Sequence, residues 1–189
     1  MKIGVLSLQG GYEKHIDILE RLNIQTSKVK YRKDLLSIDA LIIPGGESSA
    51  LSNLIEKESL YTPLKKFISK YPVYGTCAGL ILLSKSIENN NKVRSFDALN
   101  ITLTRNGWGR QINSFSKNIS IKIFKNKYKG VFIRAPKISN CGNSIDVLSV
   151  LNNSPVMIQQ NKILGTTFHP ELTDDTRIHE YFIKMVNKC

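Results

Sequence analysis

The sequence predicts a doubly wound α/β fold: a mostly parallel sheet flanked by helices, with an antiparallel extension in the second half. Three observations carry this. Over residues 2–88, short apolar runs alternate with amphipathic ones, the strand–helix rhythm of a parallel sheet. Ile38-Asp-Ala-Leu-Ile-Ile43 is almost continuously apolar, as a parallel strand covered on both faces must be. After Asn89-Asn-Asn-Lys92 the alternation gives way to successive strand-like runs. A chain of 189 residues without internal repeat or linker suits one domain spanning 1–189.

In chain order, residues 2–8 read as a first strand and Gln9-Gly10-Gly11 as the loop at its carboxyl end. Tyr12 to Leu22 places Ile16, Leu19 and Leu22 at helical spacing. Residues 26–31 and Ile38–Ile43 read as strands. Pro44-Gly-Gly-Glu-Ser-Ser49 then leads into a helix marked by Leu51, Leu54 and Ile55, with Ser48 or Ser49 as its expected N-cap. Residues 60–70 predict another helix. Pro72–Thr76 predicts a buried strand and Ala78–Ser86 the helix that follows it. Strands are expected over 99–104, 119–124, 131–134, 145–151, 156–160 and 163–168, and a closing helix over 174–188 with Ile178, Phe182, Ile183 and Val186 on one face. Ligands on such sheets bind beyond the carboxyl ends of the strands, so the loops at 9–11, 45–48 and 77–79 are expected to be neighbours.

The segment Gly75-Thr-Cys-Ala-Gly79 leaves room only for a tight strand-to-helix turn with Cys77 at its apex. Small flanking residues permit close backbone approach, as in a nucleophile elbow with cysteine in place of serine. Helix-dipole and backbone N–H effects at such a turn stabilise a thiolate. The competing role is a buried cysteine packing as a small hydrophobe. A thiolate nucleophile needs a base, and the chain has three histidines. His15 and His179 fall in amphipathic helices, where a solvated or packing role is the default. His169 ends a strand and is followed by Pro170 and Glu171. In extended geometry positions i and i+2 share a side, so Glu171 can hold the His169 imidazole.

The 27 basic against 15 acidic residues give a net charge of +12. The lysines are scattered, and the densest group, Lys122, Lys125, Lys127 and Lys129, frames an expected hairpin tip. Without aromatic interleaving or a recognition helix, this pattern favours a basic surface meeting an acidic protein partner over nucleic acid. No run approaches the roughly 20 apolar residues of a membrane span, and the stretch Met1–Gln9, with one charge and a very short apolar run, is expected to be a first strand rather than a signal peptide. Cys77, Cys141 and Cys189 lack metal-ligand spacing, which suggests free thiols in a reducing cytoplasm.

Gly75-Thr-Cys-Ala-Gly79 and Phe168-His-Pro-Glu-Leu172 together resemble the two signatures of class I, or triad, glutamine amidotransferases. Pro44-Gly-Gly-Glu-Ser48, Leu8-Gln-Gly10, Arg105-Asn106, Gly109-Arg-Gln111 and Val131-Phe-Ile-Arg-Ala-Pro136 narrow this. They are similar to the glutaminase subunits of pyridoxal 5′-phosphate synthases, in the right order from residue 3 to about residue 182. The resemblance implies a flavodoxin-like sheet and hydrolysis of L-glutamine to L-glutamate and ammonia, which passes to a separate synthase subunit. It makes Cys77, His169 and Glu171 the triad and matches Gly46, Glu47, Ser48, Arg105, Ile133 and Arg134 to glutamine-binding positions. A free amino acid presents an ammonium and a carboxylate, so an acid such as Glu47 and a base such as Arg134 or Arg105 suit it. A plain surface charge competes for each arginine, more so for Arg105. The backbone N–H groups of Gly46 and Ala78 are the expected oxyanion donors. No metal and no organic cofactor is called for.

Three departures from the family pattern bear on partner geometry rather than on the triad: Ser49-Ala50 for two threonines, Gly107-Trp108 for serine-phenylalanine, and Gly11-Tyr12 for a smaller pair. The rival readings are a glutaminase serving another synthase, against which Glu47-Ser48 speaks, and the sister family of cysteine-elbow chaperones and peptidases, which lacks this His-Pro-Glu. A non-catalytic scaffold is disfavoured by the intact triad.

Overall fold

The structure is a computed structural model that describes residues 1–89, 92–108 and 114–188. Asn90 and Asn91 of the expected break, the Gly109-Arg-Gln111 segment and Cys189 lie outside the described residues.

Its centre is a seven-stranded sheet. The first strands are β1 (Lys2–Leu6), β2 (Gln25–Val29), β3 (Ala40–Ile43) and β4 (Val73–Thr76). Late in the chain come β10 (Asp146–Leu151), β11 (Ser154–Gln160) and β12 (Ile163–Thr166), and the spatial order is β10-β11-β12-β4-β3-β1-β2. From β12 to β2 every pairing is parallel, while β10 and β11 add on antiparallel. The parallel part has the flavodoxin-like order, with β1 and β3 adjacent where the winding reverses.

Strand alternation sorts the core into two layers. Ala40, Ile42, Tyr74 and Leu164 join one apolar cluster, with Ile16 and Leu19 of helix α1 (Tyr12–Arg21) and Ile178 and Phe182 of α5 (Arg177–Val186). Leu41, Ile43, Val73 and Ile163 join the other. There they meet Leu51 and Ile55 of α2 (Ser48–Lys57), Leu64 and Phe67 of α3 (Tyr61–Ile68), and Leu80 and Leu83 of α4 (Ala78–Leu83). The period-two split explains why Ala40–Ile43 reads as unbroken apolar sequence: all four residues are buried, on opposite faces.

A second sheet of β5 (Ser84–Ile87), β6 (Leu99–Thr104) and β9 (Lys137–Cys141), and a hairpin of β7 (Ser114–Ile119) and β8 (Tyr128–Ile133), flank this centre. Several boundaries differ from expectation. The helix expected to Ser86 stops at Leu83, where Ser84 turns extended and pairs with Leu99. The strand expected over 119–124 ends at Ile119. Ile121 makes only an isolated bridge to Ser149, and Phe124 N–H closes a turn onto the Ile121 carbonyl. The lysines at 122, 125 and 127 therefore sit in the β7–β8 connection, as foreseen. Strand β8 begins at Tyr128, three residues earlier than expected, because its fully buried ring pairs across to Ile119. Strand β9 was not foreseen, since Ile138 is the one fully buried side chain in a polar segment. Among the described residues no helix is long and apolar enough to cross a membrane.

Candidate active site

The loops after β1, β3, β4 and β12 converge on the carboxyl edge of the parallel sheet, as the winding demands. Cys77 sits between β4 and α4 with φ 48° and ψ −102°, a backbone conformation that side-chain-bearing residues rarely adopt. Its N–H donates to the Thr166 carbonyl at 2.9 Å, which ties the turn to β12. The turn closes only because its glycines are bare. A Cβ on Gly79 would lie 2.0 Å from the Ile43 carbonyl oxygen, and one on Gly75 2.8 Å from the Gly79 backbone.

A cavity of about 240 Å³ opens over Cys77. Gly46, Glu47, Ser48, Arg105, Ile133, Arg134 and His169 line it, together with Ile81 and Asn106. All six residues singled out for glutamine binding thus line the same cavity as Cys77. Ala78 is fully buried and opens α4, where its N–H has no carbonyl one helical turn back. Ile81 was missed because it reads as an ordinary core position of α4.

His169 Nδ1 lies 2.7 Å from Glu171 Oε1. The geometry differs from the extended pairing expected: Pro170–Leu172 form a 3-10 turn with His169 at its start, and the turn brings the carboxylate back under the ring. Burial works against a charged His169, but Cys77 and Glu171 raise its pKa to about 10. Burial likewise opposes ionisation of Glu171, yet His15 and His169 hold its carboxyl below the usual range. A Cβ on Gly45 would meet His169 Cε1 at 2.4 Å, so this glycine lets the ring lie against the loop after β3.

The N-cap of α2 is Glu47, not Ser48 or Ser49. Its carboxylate accepts from the N–H groups of Ser49 at 3.0 Å and Ala50 at 2.6 Å. A carboxylate satisfies two orphan donors at once where a hydroxyl satisfies one. Arg105 Nη2 lies 3.2 Å from Glu47 Oε1, so this arginine is an ion-pair partner beside the cavity, not an isolated surface charge. Burial pushes the Glu47 carboxyl up, but the two N–H donors and Arg105 together keep it below its ordinary value. Arg134 is exposed at the rim with φ 42°.

Two loops lock against each other next to this pocket. Gly11 N–H donates to the Gly45 carbonyl at 3.1 Å, and Gln9 Oε1 accepts from Glu47 N–H at 3.2 Å. Gly10, at φ 90°, has no room for a side chain: its Cβ would fall 1.9 Å from the Gly45 oxygen. Since the Gly45–Gly46 peptide is trans and planar, the Gly46 N–H points opposite to that carbonyl.

Of the three family departures, Gly107-Trp108 has a packing reason. A Cβ on Gly107 would strike Lys137 Cβ at 2.3 Å, and Trp108 donates to the Pro136 carbonyl while packing on Phe115 and Phe132. A Cβ on Gly11 would make only an ordinary contact with Glu171 Oε1 at 3.4 Å, so nothing in the structure explains that glycine, while Tyr12 lies under the Lys28 ammonium. His15 and His179 are not solvated: both are fully buried behind Glu171.

Comparison with known proteins agrees with this architecture. Over 189 residues the chain is 47% identical to the pyridoxal 5′-phosphate synthase subunit PdxT of Fervidobacterium nodosum, covering 100% of this chain and 98% of that one. With the subunit of the same name from Thermosipho africanus it shares 44% identity, over the full length of both. A crystal structure of a glutamine amidotransferase superposes with a TM-score of 0.93 at 36% identity, covering 98% of each chain. A putative GMP synthase subunit from Thermoplasma acidophilum, at 18% identity and a TM-score of 0.70, shares the fold. The family model of the SNO glutamine amidotransferases matches residues 5–188, and the chain belongs to that family.

Proposed function

We propose that Cys77, His169 and Glu171 are the catalytic triad of a glutaminase, with Gly46, Glu47, Ser48, Arg105, Ile133 and Arg134 holding the substrate. The protein is a glutamine amidotransferase: it hydrolyses L-glutamine to L-glutamate and supplies the ammonia for pyridoxal 5′-phosphate synthesis. The observation that carries the residue assignment is the placement of Cys77 on a strained turn at the floor of the cavity, with His169 in its wall and Glu171 bonded to the far nitrogen of His169. The raised pKa of His169, about 10, suits an imidazolium that can give up a proton to a leaving group.

In this reading the Cys77 thiolate attacks the side-chain amide carbon of glutamine. The oxyanion that forms is held by the N–H groups of Ala78 and Gly46. Collapse breaks the C–N bond, and His169 gives its proton to the departing ammonia. Neutral His169 then takes a proton from water, whose oxygen attacks the γ-glutamyl thioester. Glutamate leaves and the thiolate is restored. Arg134 and Arg105 suit the α-carboxylate, and Glu47 suits the α-ammonium with the lone pairs its capping role leaves free. The whole chain acts as one glutaminase domain in the cytoplasm, and its ammonia goes to a separate synthase subunit docked as a hetero-oligomer. Neither a metal nor an organic cofactor enters the steps.

The test is Cys77→Ala, assayed for glutamate release with the synthase subunit present. Turnover is expected to vanish while the melting curve stays cooperative. A glutamine-analogue electrophile is expected to label Cys77 and spare Cys141, whose thiol burial pushes up. Retained turnover in the folded variant sinks the assignment.

A further inference from the structure

Two buried histidines that the triad does not use stand in line behind it. His15 in α1 and His179 in α5 are wholly shielded from solvent. His15 Nε2 lies 3.4 Å from Glu171 Oε2, the carboxylate oxygen that does not bond His169, and 3.4 Å from Thr76 Oγ1. On its other side, His15 Nδ1 lies 2.9 Å from His179 Nε2. Glu171 Oε2 and His179 Nδ1 are the two buried side-chain polar atoms without a hydrogen-bond partner among the described residues. His15 therefore brings a ring nitrogen to within 3.4 Å of an otherwise unserved oxygen of Glu171.

The protonation pattern follows from the surroundings. Burial lowers the pKa of His15, with Glu171 pulling it up and His169 pushing it down. Burial holds His179 well below the usual range, and His15 and Arg21 push the same way. The Tyr74 ring makes T-shaped contacts with both imidazoles, and its hydroxyl is taken up by Thr166. Both rings are thus neutral, with one N–H each. The His15 proton belongs on Nε2, because a bare nitrogen there would set its lone pair against those of the carboxylate. Nδ1 of His15 is then an acceptor, so His179 donates from Nε2 and leaves its own Nδ1 bare. The opposite arrangement would bury an unpartnered N–H at His179, the costlier orphan. The favoured pattern sets two N–H dipoles in succession, His179 toward His15 and His15 toward the Thr76 hydroxyl and Glu171 Oε2, each 3.4 Å from His15 Nε2.

We propose that His15 is a positioning residue for Glu171, and that His179 fixes the tautomer in which His15 does so. The inference rests on Glu171 orienting His169. By facing Oε2, His15 stops the carboxylate turning about its last torsion and leaves Oε1 free to hold His169. A ring that fixes the partner of a general base acts on kcat and not on substrate affinity.

The experiment measures glutamine hydrolysis against pH in the assembled synthase complex, for His15→Leu, His15→Gln and Glu171→Gln. Glutamine can place an amide N–H where His15 Nε2 stands; leucine cannot. For His15→Leu we expect kcat to fall about 10- to 100-fold with KM within about twofold of wild type. The acid limb of kcat/KM should move to higher pH, because Glu171 loses the neighbouring His15 N–H dipole, which favours its ionised form. His15→Gln should recover most of the rate and return the limb. An unshifted limb in His15→Leu, or equal losses in the leucine and glutamine variants, overturns the proposal by assigning His15 a packing role. If His15→Leu does not melt cooperatively, His179→Leu against His179→Gln carries the test, and an unmoved limb there overturns it equally. Glu171→Gln separates the two levels. Undiminished turnover in that variant removes the triad assignment itself, whereas a silent Glu171→Gln beside a normal His15→Leu removes only the positioning role.

Discussion

Cys77 occupies a backbone conformation that costs a side-chain-bearing residue about 1–3 kcal/mol. The strain aims the sulfur, so it is stored where chemistry needs it. Removing the side chain should release it: Cys77→Gly is expected to be inactive yet about 1 kcal/mol more stable than Cys77→Ala, the reverse of the usual glycine penalty. Paired denaturant curves check this, and a less stable glycine variant would mean the turn is unstrained. His169 offers a second measurement at this scale. Its pKa rises from 6.5 unfolded to about 10 in the fold, so the stability it contributes is complete below pH 6.5 and fades as pH climbs through 10. Cys77 is one of the groups that raise it. In Cys77→Ala the His169 ring should therefore titrate lower, read from its nitrogen shifts by NMR. An unchanged titration would show that sulfur and imidazole do not interact.

At the scale of elements, the parts of the site that repeat a backbone requirement were legible in sequence and the parts that depend on long-range packing were not. The elbow announces itself because Gly75 and Gly79 are each forced by contacts under 3 Å. The apolar run of β3 announces a strand covered twice. Glu47 as the cap of α2 was hidden by the serines after it, since a carboxylate reaching two N–H groups leaves no sequence mark that distinguishes it from a ligand. The buried pair His15 and His179 was hidden for a different reason. Each lies on an amphipathic helix, and only the packing of α1 and α5 on one face of the sheet brings them together 164 residues apart. The end of β7 was misjudged because Ile119 and Ile121 alternate as a strand would, while the chain turns between Ile121 and Phe124. The loop pair Gln9–Gly11 and Gly45–Glu47 gives this scale its prediction. Gly10→Ala would push a methyl into the Gly45 carbonyl from a left-handed backbone, breaking the Gly11 bond and turning the Gly46 N–H. Losing one aligned oxyanion donor costs about 10²–10³ in kcat, so steady-state assays of this variant should show such a fall with a folded protein. A normal kcat would detach Gly46 from the oxyanion.

At the scale of the whole molecule, the net charge of +12 favours encounter with an acidic partner face, and added salt should slow that encounter. A glutaminase acting alone would release ammonia with no acceptor. The isolated chain is therefore expected to turn over glutamine slowly and to speed up on addition of the synthase subunit, with slower activation at high salt; stopped-flow or time-course assays at two ionic strengths read both effects. Full activity without the partner would dismiss the gating idea. The sheet order has a further consequence. Strand β12 is inserted beside β4, so Val73 pairs with Ile163 and the Cys77 N–H waits for the Thr166 carbonyl. Such distant pairings close late in folding, since a long loop must be ordered before any contact rewards it. During synthesis β4 leaves the ribosome well before β12, His169 and Glu171. The growing chain thus carries its thiol in an unassembled turn through about half of translation, without His169 beside it. Chemical competence and completion of the fold arrive together, and an electrophile that finds Cys77 reports a finished molecule.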